Sequence, residues 1–242
     1  MRLWLNSDVG ERPEALLDGS EEELIRLLDW ANIACGGHAG DEASMAHVVR
    51  LCRKHCVQIG AHPSYPDRER FGRAVVDLPG QVISQFVFEQ VKSLDTVARA
   101  QGEQVRHIKP HGALYNRAAR DRAVALAIGE GVGRWNRKAV LVGLAGSGML
   151  DVWREQGFSI AAEAFADRRY EPDGSLRARS FPDALITDPA EAVAQALLVS
   201  GGRVRAWDGS EVAVSAGTIC IHSDTPEALA IARAVDGVLR HA

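Results

Sequence analysis

Short apolar runs alternate with longer amphipathic segments along the whole chain. The runs are rich in Val, Ile, Leu and Ala and have the length of buried strands, whereas residues 42–55 place Met45, Val48, Val49 and Cys52 at helical spacing. The pattern predicts main-sheet strands at residues 2–7, 32–36, 57–61, 105–109, 139–144, 159–165 and 218–221. It predicts helices at residues 20–30, 42–55, 80–101, 118–135, 147–156 and 189–200, with a last helix from Pro226.

This alternation of strand and helix predicts mostly parallel strands with right-handed crossovers, which is an α/β fold. A closed or nearly closed (β/α) barrel fits the number of strands. An open doubly wound sheet is the alternative, because alternation alone does not distinguish the two. Residues 203–207 and 211–214, joined by Asp208-Gly209, predict an additional β-hairpin. No linker or shift in composition divides the chain, so residues 1–242 are expected to form one domain.

Capping residues and two long loops complete this prediction. Ser20 and Asp41 are expected to cap the helices that follow them, and Gly201-Gly202 is expected to end the helix at 189–200. Residues 63–79 and 166–188 are polar and show no periodicity. Loops of this length inside a compact protein are usually either functional or disordered.

The composition excludes several classes of partner. The chain is 46% hydrophobic and 25% charged with a net charge of −4, which is an ordinary globular profile. It contains no basic stripe, which argues against nucleic acid, and no apolar run of about 18 residues, which argues against a membrane span. The first residues become polar too early for a signal peptide, so we expect a cytoplasmic protein. The cysteines lack a CxxC spacing and predict reduced thiols.

The stretch HIKPHGALYN, at residues 107–116, is the densest group of reactive side chains. Pro110 must end the strand, and Gly112 lets the backbone turn into a helix. Lys109, His111 and Asn116 therefore lie at a strand end, where a reaction site needs such groups, and the alternative is a solvated loop with incidental charges.

Polar residues also follow the other predicted strands. In a parallel barrel every such residue lies on the same face, at the carboxyl ends of the strands. Four of the eight histidines are in this set. Its members are Asp8, Glu11, His38, Asp41, His62, Lys109, His111, Glu163, Asp167, His222 and Asp224.

These residues permit several chemistries. Asp8, His38 and His62 could bind a divalent metal with an open position, and the alternative is a hydrogen-bonded network without metal. Asp8, Glu11 and Glu163 are candidates for a general base, because a crowded carboxylate should have a raised pKa. A helix cap or an ion pair is the alternative for each.

Cationic groups offer ways to hold or activate a substrate. Lys109 could stabilise an oxyanion or form a Schiff base. Arg73 and Arg168, in the long loops, could clamp a substrate carboxylate, and the alternative for both is a solvated loop charge. The glycine-rich turn at 143–148 is better explained as a tight turn than as a phosphate site, since the chain has no GxxxxGK[ST] motif.

Taken together, these motifs resemble the LamB/YcsF family, in order and over nearly the whole chain. They lie at residues 6–11, 32–41, 60–67, 71–73, 109–116, 163–168 and 220–226. The resemblance implies a seven-stranded (β/α) barrel of the glycoside hydrolase/deacetylase type. It also implies ATP-dependent opening of the lactam 5-oxo-L-proline (pyroglutamate) to L-glutamate, with ATP handled by two partner subunits, B and C, that activate the lactam.

The sequence departs from the family pattern at Ser7, at Ser223 and at residues 12–14, but none of these changes removes a carboxylate or a histidine. We therefore predict catalytic roles for Asp8, Glu11, His38, His62, Lys109 and His111. We predict substrate binding by Arg73, Asn116, Glu163, Asp167, Arg168, His222 and Asp224. The competing functions are a metal-dependent, deacetylase-like amidohydrolase that acts alone and a non-catalytic module that binds a small molecule.

Overall fold

Seven parallel strands close into a barrel in the computed structural model, which describes residues 3–240. The strands of the chain are β1 (Trp4–Val9), β2 (Trp30–Ala34), β3 (Gln58–His62), β4 (His107–Ile108), β5 (Val140–Leu144), β6 (Ser159–Phe165), β7 (Arg203–Arg205), β8 (Glu211–Ala213) and β9 (Thr218–Cys220). The barrel order is β1-β2-β3-β4-β5-β6-β9, and β9 closes it by pairing with both β1 and β6. The prediction of a barrel is therefore confirmed and the open sheet is excluded. The predicted first strand residue, Arg2, lies outside the described residues.

Helices surround this barrel. They are α1 (Pro13–Asp18), α2 (Ser20–Ile25), α3 (Glu42–His55), α4 (Gly80–Ala100), α5 (Gly112–Ala118), α6 (Arg122–Trp135), α7 (Gly148–Glu155), α8 (Pro189–Ser200) and α9 (Ala228–Leu239). Their apolar faces and the strands form one continuous core. In the part of the chain that the structure describes, no helix combines the length and apolar character needed to cross a membrane. The predicted hairpin is confirmed as the antiparallel pair β7–β8.

The region after β1 differs from its prediction. Helix α1 was not predicted; it begins at Pro13, whose fixed φ suits a first helical position. Gly19 adopts φ +82°, ends α1 and precedes α2, so Ser20 is the first residue of α2 and not its cap. The single predicted helix is therefore two short ones, because a left-handed residue breaks the helical path.

Two other helices begin at residues different from those predicted, and one predicted helix cap is confirmed. The helix predicted from residue 118 begins at Arg122, because the Asp121 carboxylate accepts the backbone N–H of Ala123 at 2.9 Å. The last helix begins at Ala228, two residues after Pro226. Asp41 caps α3 as predicted, accepting the Ser44 N–H at 2.8 Å, so it does not take part in the site below.

The strand register positions the chemistry. Asp8 is opposite Asn32 on β2, Asn32 is opposite Gly60 on β3, and Gly60 is opposite His107 on β4. Since Gly60 has no side chain, the buried His107 ring occupies that space and its Nε2–H donates to Asn32 Oδ1 at 2.9 Å. Asn32 in turn donates to Asp8 Oδ1 at 2.9 Å. Buried polar residues inside the strands thus fix the orientation of Asp8.

Candidate active site

A cavity of about 390 Å³ opens at the carboxyl ends of the barrel strands. Its wall combines carboxylate, imidazole, ammonium and guanidinium groups. Predicted site residues in the wall are Asp8, His62, Arg73, Lys109, His111, Asn116, Arg168 and His222. Five of the predicted residues lie behind or beside it, namely Glu11, His38, Glu163, Asp167 and Asp224.

Lys109 lies at the base of this cavity and is fully enclosed by acceptors. Its Nζ lies 3.0 Å from Asp8 Oδ1, 3.0 Å from Glu163 Oε1 and 3.0 Å from Cys220 Sγ. Burial alone would lower the pKa of Lys109, but Asp8, Cys220 and Glu163 raise it well above its usual value. A raised pKa favours the charged ammonium, which is not nucleophilic, and so argues against the Schiff-base role. Because its ammonium group already donates to Asp8 Oδ1, Cys220 Sγ and Asn6 Oδ1, Lys109 is also poorly placed to take up an oxyanion.

Asp8 is buried and ionised. Burial alone would raise the pKa of this carboxyl, but His62 and Lys109 together hold it well below its usual range. Its Oδ1 accepts from Lys109 and Asn32, while Oδ2 lies 3.2 Å from His62 Nε2. The expectation of a raised pKa is therefore wrong for Asp8, because two cations or potential cations contact it directly.

Three imidazoles surround one carboxylate beside Asp8, and we call these four residues the Glu11 cluster: Glu11, His38, His62 and His111. Glu11 Oε1 lies 2.7 Å from His38 Nε2, 3.3 Å from His111 Nδ1 and 3.8 Å from His62 Nε2. The His38 and His111 rings are parallel with centroids 3.6 Å apart. Burial raises the pKa of Glu11 to about 7, with a further contribution from Asp8, and burial lowers the pKa of His38 to about 3. The predicted rise in carboxyl pKa is therefore confirmed for Glu11.

The cluster can hold a metal, but with different ligands from those predicted. One candidate ligand atom from each of Glu11, His38, His62 and His111 lies within 4.8 Å of the others, and all four residues are buried. Asp8 belongs instead to a second group, with Cys220 and His222. The three predicted metal ligands, Asp8, His38 and His62, therefore belong to two different groups, because Glu11 and not Asp8 lies between the imidazoles.

A carboxylate–imidazole pair, Asp167 and His222, lies close to Asp8. Asp167 Oδ2 accepts from His222 Nδ1 at 2.9 Å, from the His222 backbone N–H at 2.9 Å and from Thr225 Oγ1 at 2.6 Å. Although Asp167 is buried, His222 and Thr225 lower its pKa to about 2. The His222 ring also stacks on Phe165. Its orientation is therefore fixed, and its second nitrogen remains for a ligand.

Arginines from the two long loops surround the cavity mouth. Asp224 binds both Arg73, from the first loop, and Arg179, from the second, so it joins the loops instead of contacting the cavity.

Arg168 is only 5% exposed, and its Nη2 donates to the Arg177 carbonyl at 2.6 Å. No carboxylate among residues 3–240 forms an ion pair with Arg168. Burial and the nearby Arg179 lower its pKa to about 10. The alternative of a solvated loop charge is excluded for Arg168.

Comparison with known proteins identifies the family of this chain. The family model described as LamB/YcsF family matches residues 3–242. The chain belongs to the LamB/YcsF family. A protein from Chloroflexus aggregans, named as the A subunit of 5-oxoprolinase, is 50% identical over 242 residues, which cover 100% of this chain and 94% of that protein. A protein of the same name from Chloroflexus aurantiacus is 49% identical over 229 residues, covering 94% and 90%.

A solved structure extends the comparison to the fold. The lactam utilization protein from Thermus thermophilus aligns with a TM-score of 0.90 at 40% identity, covering 100% of this LamB/YcsF chain and 97% of that chain. Both the family and the seven-stranded barrel that the resemblance implied are thereby confirmed.

Sequence reasoning overlooked several residues of this LamB/YcsF site. Tyr115 is buried and donates to Glu163 Oε2 at 3.0 Å, and Arg179 pairs with Asp224. Asn6 and Asn32 orient Asp8 and Lys109 from inside the barrel. The available signal was an asparagine in each of two otherwise buried strands, since a buried amide needs hydrogen-bond partners. The glycine-rich turn at 143–148 is a tight turn, as predicted, with the Ser147 N–H donating to the Leu144 carbonyl.

Proposed function

We propose that this chain opens the lactam ring of 5-oxo-L-proline to give L-glutamate, as one component of an ATP-dependent 5-oxoprolinase. The names of its close relatives support the substrate class. One observation in the site carries the proposal: a carboxylate oxygen of Asp8 and a ring nitrogen of His222 lie within 4.8 Å of each other. Both residues are in the wall of one cavity. At this separation an ionised carboxylate can activate water for attack on the carbonyl carbon of an amide, while an oriented imidazole can protonate the amide nitrogen.

Asp8 and His62 are the groups that we assign to water activation. Both face the cavity, and Asp8 Oδ2 lies 3.2 Å from His62 Nε2, so a proton taken from water can be shared between them. Glu11 and His38 lie behind this pair and act through His62 and His111. Lys109 keeps Asp8 ionised, which is a different role from the oxyanion stabilisation expected from sequence.

His222 is the group that we assign to protonation of the leaving nitrogen. Its Nδ1–H donates to Asp167, which leaves Nε2 for the substrate and orients the ring as in other carboxylate–imidazole pairs. His111 is the weaker candidate, because its Nε2–H already donates to the Phe71 carbonyl at 3.0 Å and its Nδ1 faces His62.

Arg168 is the group that we assign to an anionic part of the substrate. A buried guanidinium without a carboxylate partner is costly, and a substrate carboxylate or a phosphorylated lactam oxygen would compensate it. Arg73 and Asn116 line the same cavity and would contact the rest of the ring. Asp224 positions Arg73, and Glu163 positions Lys109.

ATP is assigned to partner subunits in this proposal. We propose that subunits B and C bind and hydrolyse ATP and deliver the activated lactam, while residues 1–242 act as one domain in the cytoplasm. The test measures glutamate formed from 5-oxoproline by the chain alone, by the partners with ATP, and by the complete mixture. Glutamate only in the complete mixture supports the proposal. ATP hydrolysis without glutamate in the complete mixture would refute it.

The second candidate function is a metal-dependent amidohydrolase that acts without ATP. The four convergent ligand atoms of the Glu11 cluster are the observation that favours it. It predicts hydrolysis of N-acyl substrates by the chain alone and loss of that activity on treatment with a chelator. Hydrolysis that persists in the chelator, or none with any N-acyl substrate, would remove this candidate.

A further inference from the structure

We infer that an aromatic surface beside the cavity mouth docks the partner subunit that delivers the lactam, and that the partner meets it with an acidic surface. The aromatic surface consists of Phe181, Arg177 and Trp207, which we call the rim stack. The inference rests on the proposed function, because it says where the partner of that function binds. It goes further in naming the residues of the contact and the chemistry of the surface that fits them.

The rim stack holds one guanidinium between two aromatic rings. Arg177 Cζ lies 4.1 Å from the centroid of the Phe181 ring and 4.6 Å from that of the Trp207 ring. Phe181 is 47% exposed and Trp207 is 49% exposed. One exposed apolar side chain is ordinary, but contiguous exposed apolar surface marks an interaction site. Tryptophan, phenylalanine and arginine are also the side chains that protein interfaces favour at their centres.

The three side chains of the rim stack are held in place before any partner binds. The backbone N–H groups of Phe181 and Trp207 each donate to a loop carbonyl, at 3.0 and 2.9 Å. The Arg177 guanidinium pairs with Asp183 at 2.8 Å and with Glu171 at 2.9 Å. A surface that is already ordered loses little conformational entropy on binding. Because two carboxylates balance Arg177, the rim stack offers a partner apolar area more than charge.

Charge around the cavity is opposite in sign to that of the whole chain. Among residues 3–240, five arginines and one carboxylate, that of Asp8, line the cavity, whereas the whole chain has a net charge of −4. The arginines are Arg73, Arg120, Arg168, Arg177 and Arg179. Arg120 is exposed and forms no ion pair in the part of the chain that the structure describes. An acidic partner surface complements this charge, and such attraction steers two proteins into contact.

The rim stack is continuous with the wall of the cavity. Residues 175–180 line the cavity directly, and Phe181 follows them in the same loop. A partner bound to the rim stack therefore faces the cavity mouth. The other end of the barrel, where the strands begin, offers no route to the site residues at the carboxyl ends of the strands. Of the two ends of the barrel, only the one with the rim stack suits a partner that delivers a ligand.

The test is binding of the purified full chain to a purified mixture of subunits B and C, measured by calorimetry without ATP or lactam. Phe181→Ala and Trp207→Ala should each weaken the Kd at least about 10-fold, because each removes a ring at the centre of the contact. Trp4→Ala is the matched control, since Trp4 is 44% exposed at the amino end of β1, at the opposite end of the barrel. It should bind as the parent chain does. Circular dichroism establishes that each variant is folded.

The acidic character of the partner surface has its own test. Arg120→Glu should slow association about 10-fold at low salt and lose most of this effect at about 0.5 M salt, where screening is nearly complete. Arg106→Glu makes the same change of charge at an exposed position before β4, at the amino end of the barrel, and should associate at the parent rate. Equal slowing by both variants would mean that net charge alone matters and would overturn the acidic contact.

A second measurement does not depend on the variants. Hydrogen exchange of the parent chain should slow at residues 175–183 and 205–210 when subunits B and C are added, and stay unchanged at the amino ends of the strands. Slower exchange elsewhere with none in these two segments would overturn the inference. A Kd weaker than about 1 mM for the parent chain would do the same. So would sedimentation showing that the chain pairs with itself and that Trp207→Ala separates the pair.

These outcomes separate the docking surface from the proposed function. If the parent chain binds through the rim stack but the complete mixture with ATP forms no glutamate, the docking surface stands and the proposed function fails. If the complete mixture forms glutamate while Phe181→Ala and Trp207→Ala bind as the parent chain does, the proposed function stands and the docking surface fails.

Discussion

Lys109 Nζ lies 3.0 Å from Asp8 Oδ1, joining β4 to β1 across the interior of the barrel. Two strands separate β1 from β4 in the barrel order, so this contact is made possible only by closure. Both side chains are almost completely buried. Removing one partner of a buried ion pair leaves an uncompensated charge, which typically costs about 3 to 5 kcal/mol. The pair therefore fixes the charge state of Asp8 as well as its position.

The first prediction concerns Asp8→Asn. Asparagine keeps the volume and can still accept from Lys109, but it cannot take a proton from water. We expect the rate of glutamate formation in the complete mixture to fall at least about 1,000-fold with the barrel still folded. Kinetic assays and thermal unfolding measure the two effects. Asp151→Asn, on the exposed surface of α7, is the control and should keep the parent rate. A near-normal rate in Asp8→Asn would exclude Asp8 as the base.

The second prediction concerns Arg168→Met. Loss of the guanidinium removes charge-assisted hydrogen bonds to an anionic substrate, so we expect KM for that substrate to rise about 10- to 100-fold. The free energy of unfolding should fall little or even rise, because the buried charge without a carboxylate partner is lost as well. Arg169→Met is the control, since Arg169 pairs with Glu191 and is not in the cavity wall. A large loss of stability with unchanged KM would show that Arg168 is structural only.

The third prediction concerns pH and Glu21. This carboxyl is buried under β1, accepts the Gly10 N–H at 2.7 Å, and has its pKa raised to about 7 by burial. A folded-state pKa above the unfolded value means that the stabilisation is complete below about pH 4.5 and is lost as the pH rises through about 7. A change from 4.5 to about 7 corresponds to about 3 kcal/mol.

Glu21→Gln should remove this loss, because glutamine keeps the acceptor for Gly10 and does not ionise. Urea unfolding should therefore show a variant that is up to about 3 kcal/mol more stable than the parent at about pH 8 and of similar stability near pH 4.5. The difference between the two proteins isolates Glu21 from other titrating groups such as Glu11. An equal difference at both pH values would mean that Glu21 is ionised throughout.

The fourth prediction concerns the packing beneath the site. A Cβ on Gly60 would clash with His107 Nε2, so Gly60→Ala must displace the ring that supports Asn32. We expect a loss of about 3 kcal/mol in the free energy of unfolding. Gly148→Ala is the matched control, since a Cβ at Gly148 meets no atom within 4 Å and the change should be within about 0.5 kcal/mol. Equal stability of the two variants would contradict the described packing.

Hydrophobic periodicity and short turn signals determined much of the fold from the sequence alone. The seven barrel strands and the β7–β8 hairpin follow from local patterns, because each strand must bury an apolar run whichever strands it pairs with. The caps at Asp41 and Asp121 are local as well, although only Asp41 was predicted. Helix α1 and the break at Gly19 were missed, since a single left-handed residue outweighs the helical propensity of its neighbours.

The sequence also placed the reactive residues at strand ends, and the tertiary structure decided which of them meet. Asp8 and His62 contact each other although β2 lies between their strands, but Glu11 and not Asp8 lies among the imidazoles. The charge of Lys109 is taken up by Asp8 and Glu163, and Arg168 is buried in a loop whose sequence is typical of a solvated segment. Strand register and barrel closure bring together side chains as distant in sequence as Asn6 and Thr218, which hydrogen-bond at 2.8 Å. No local pattern encodes such contacts, because they depend on the packing of all seven strands at once.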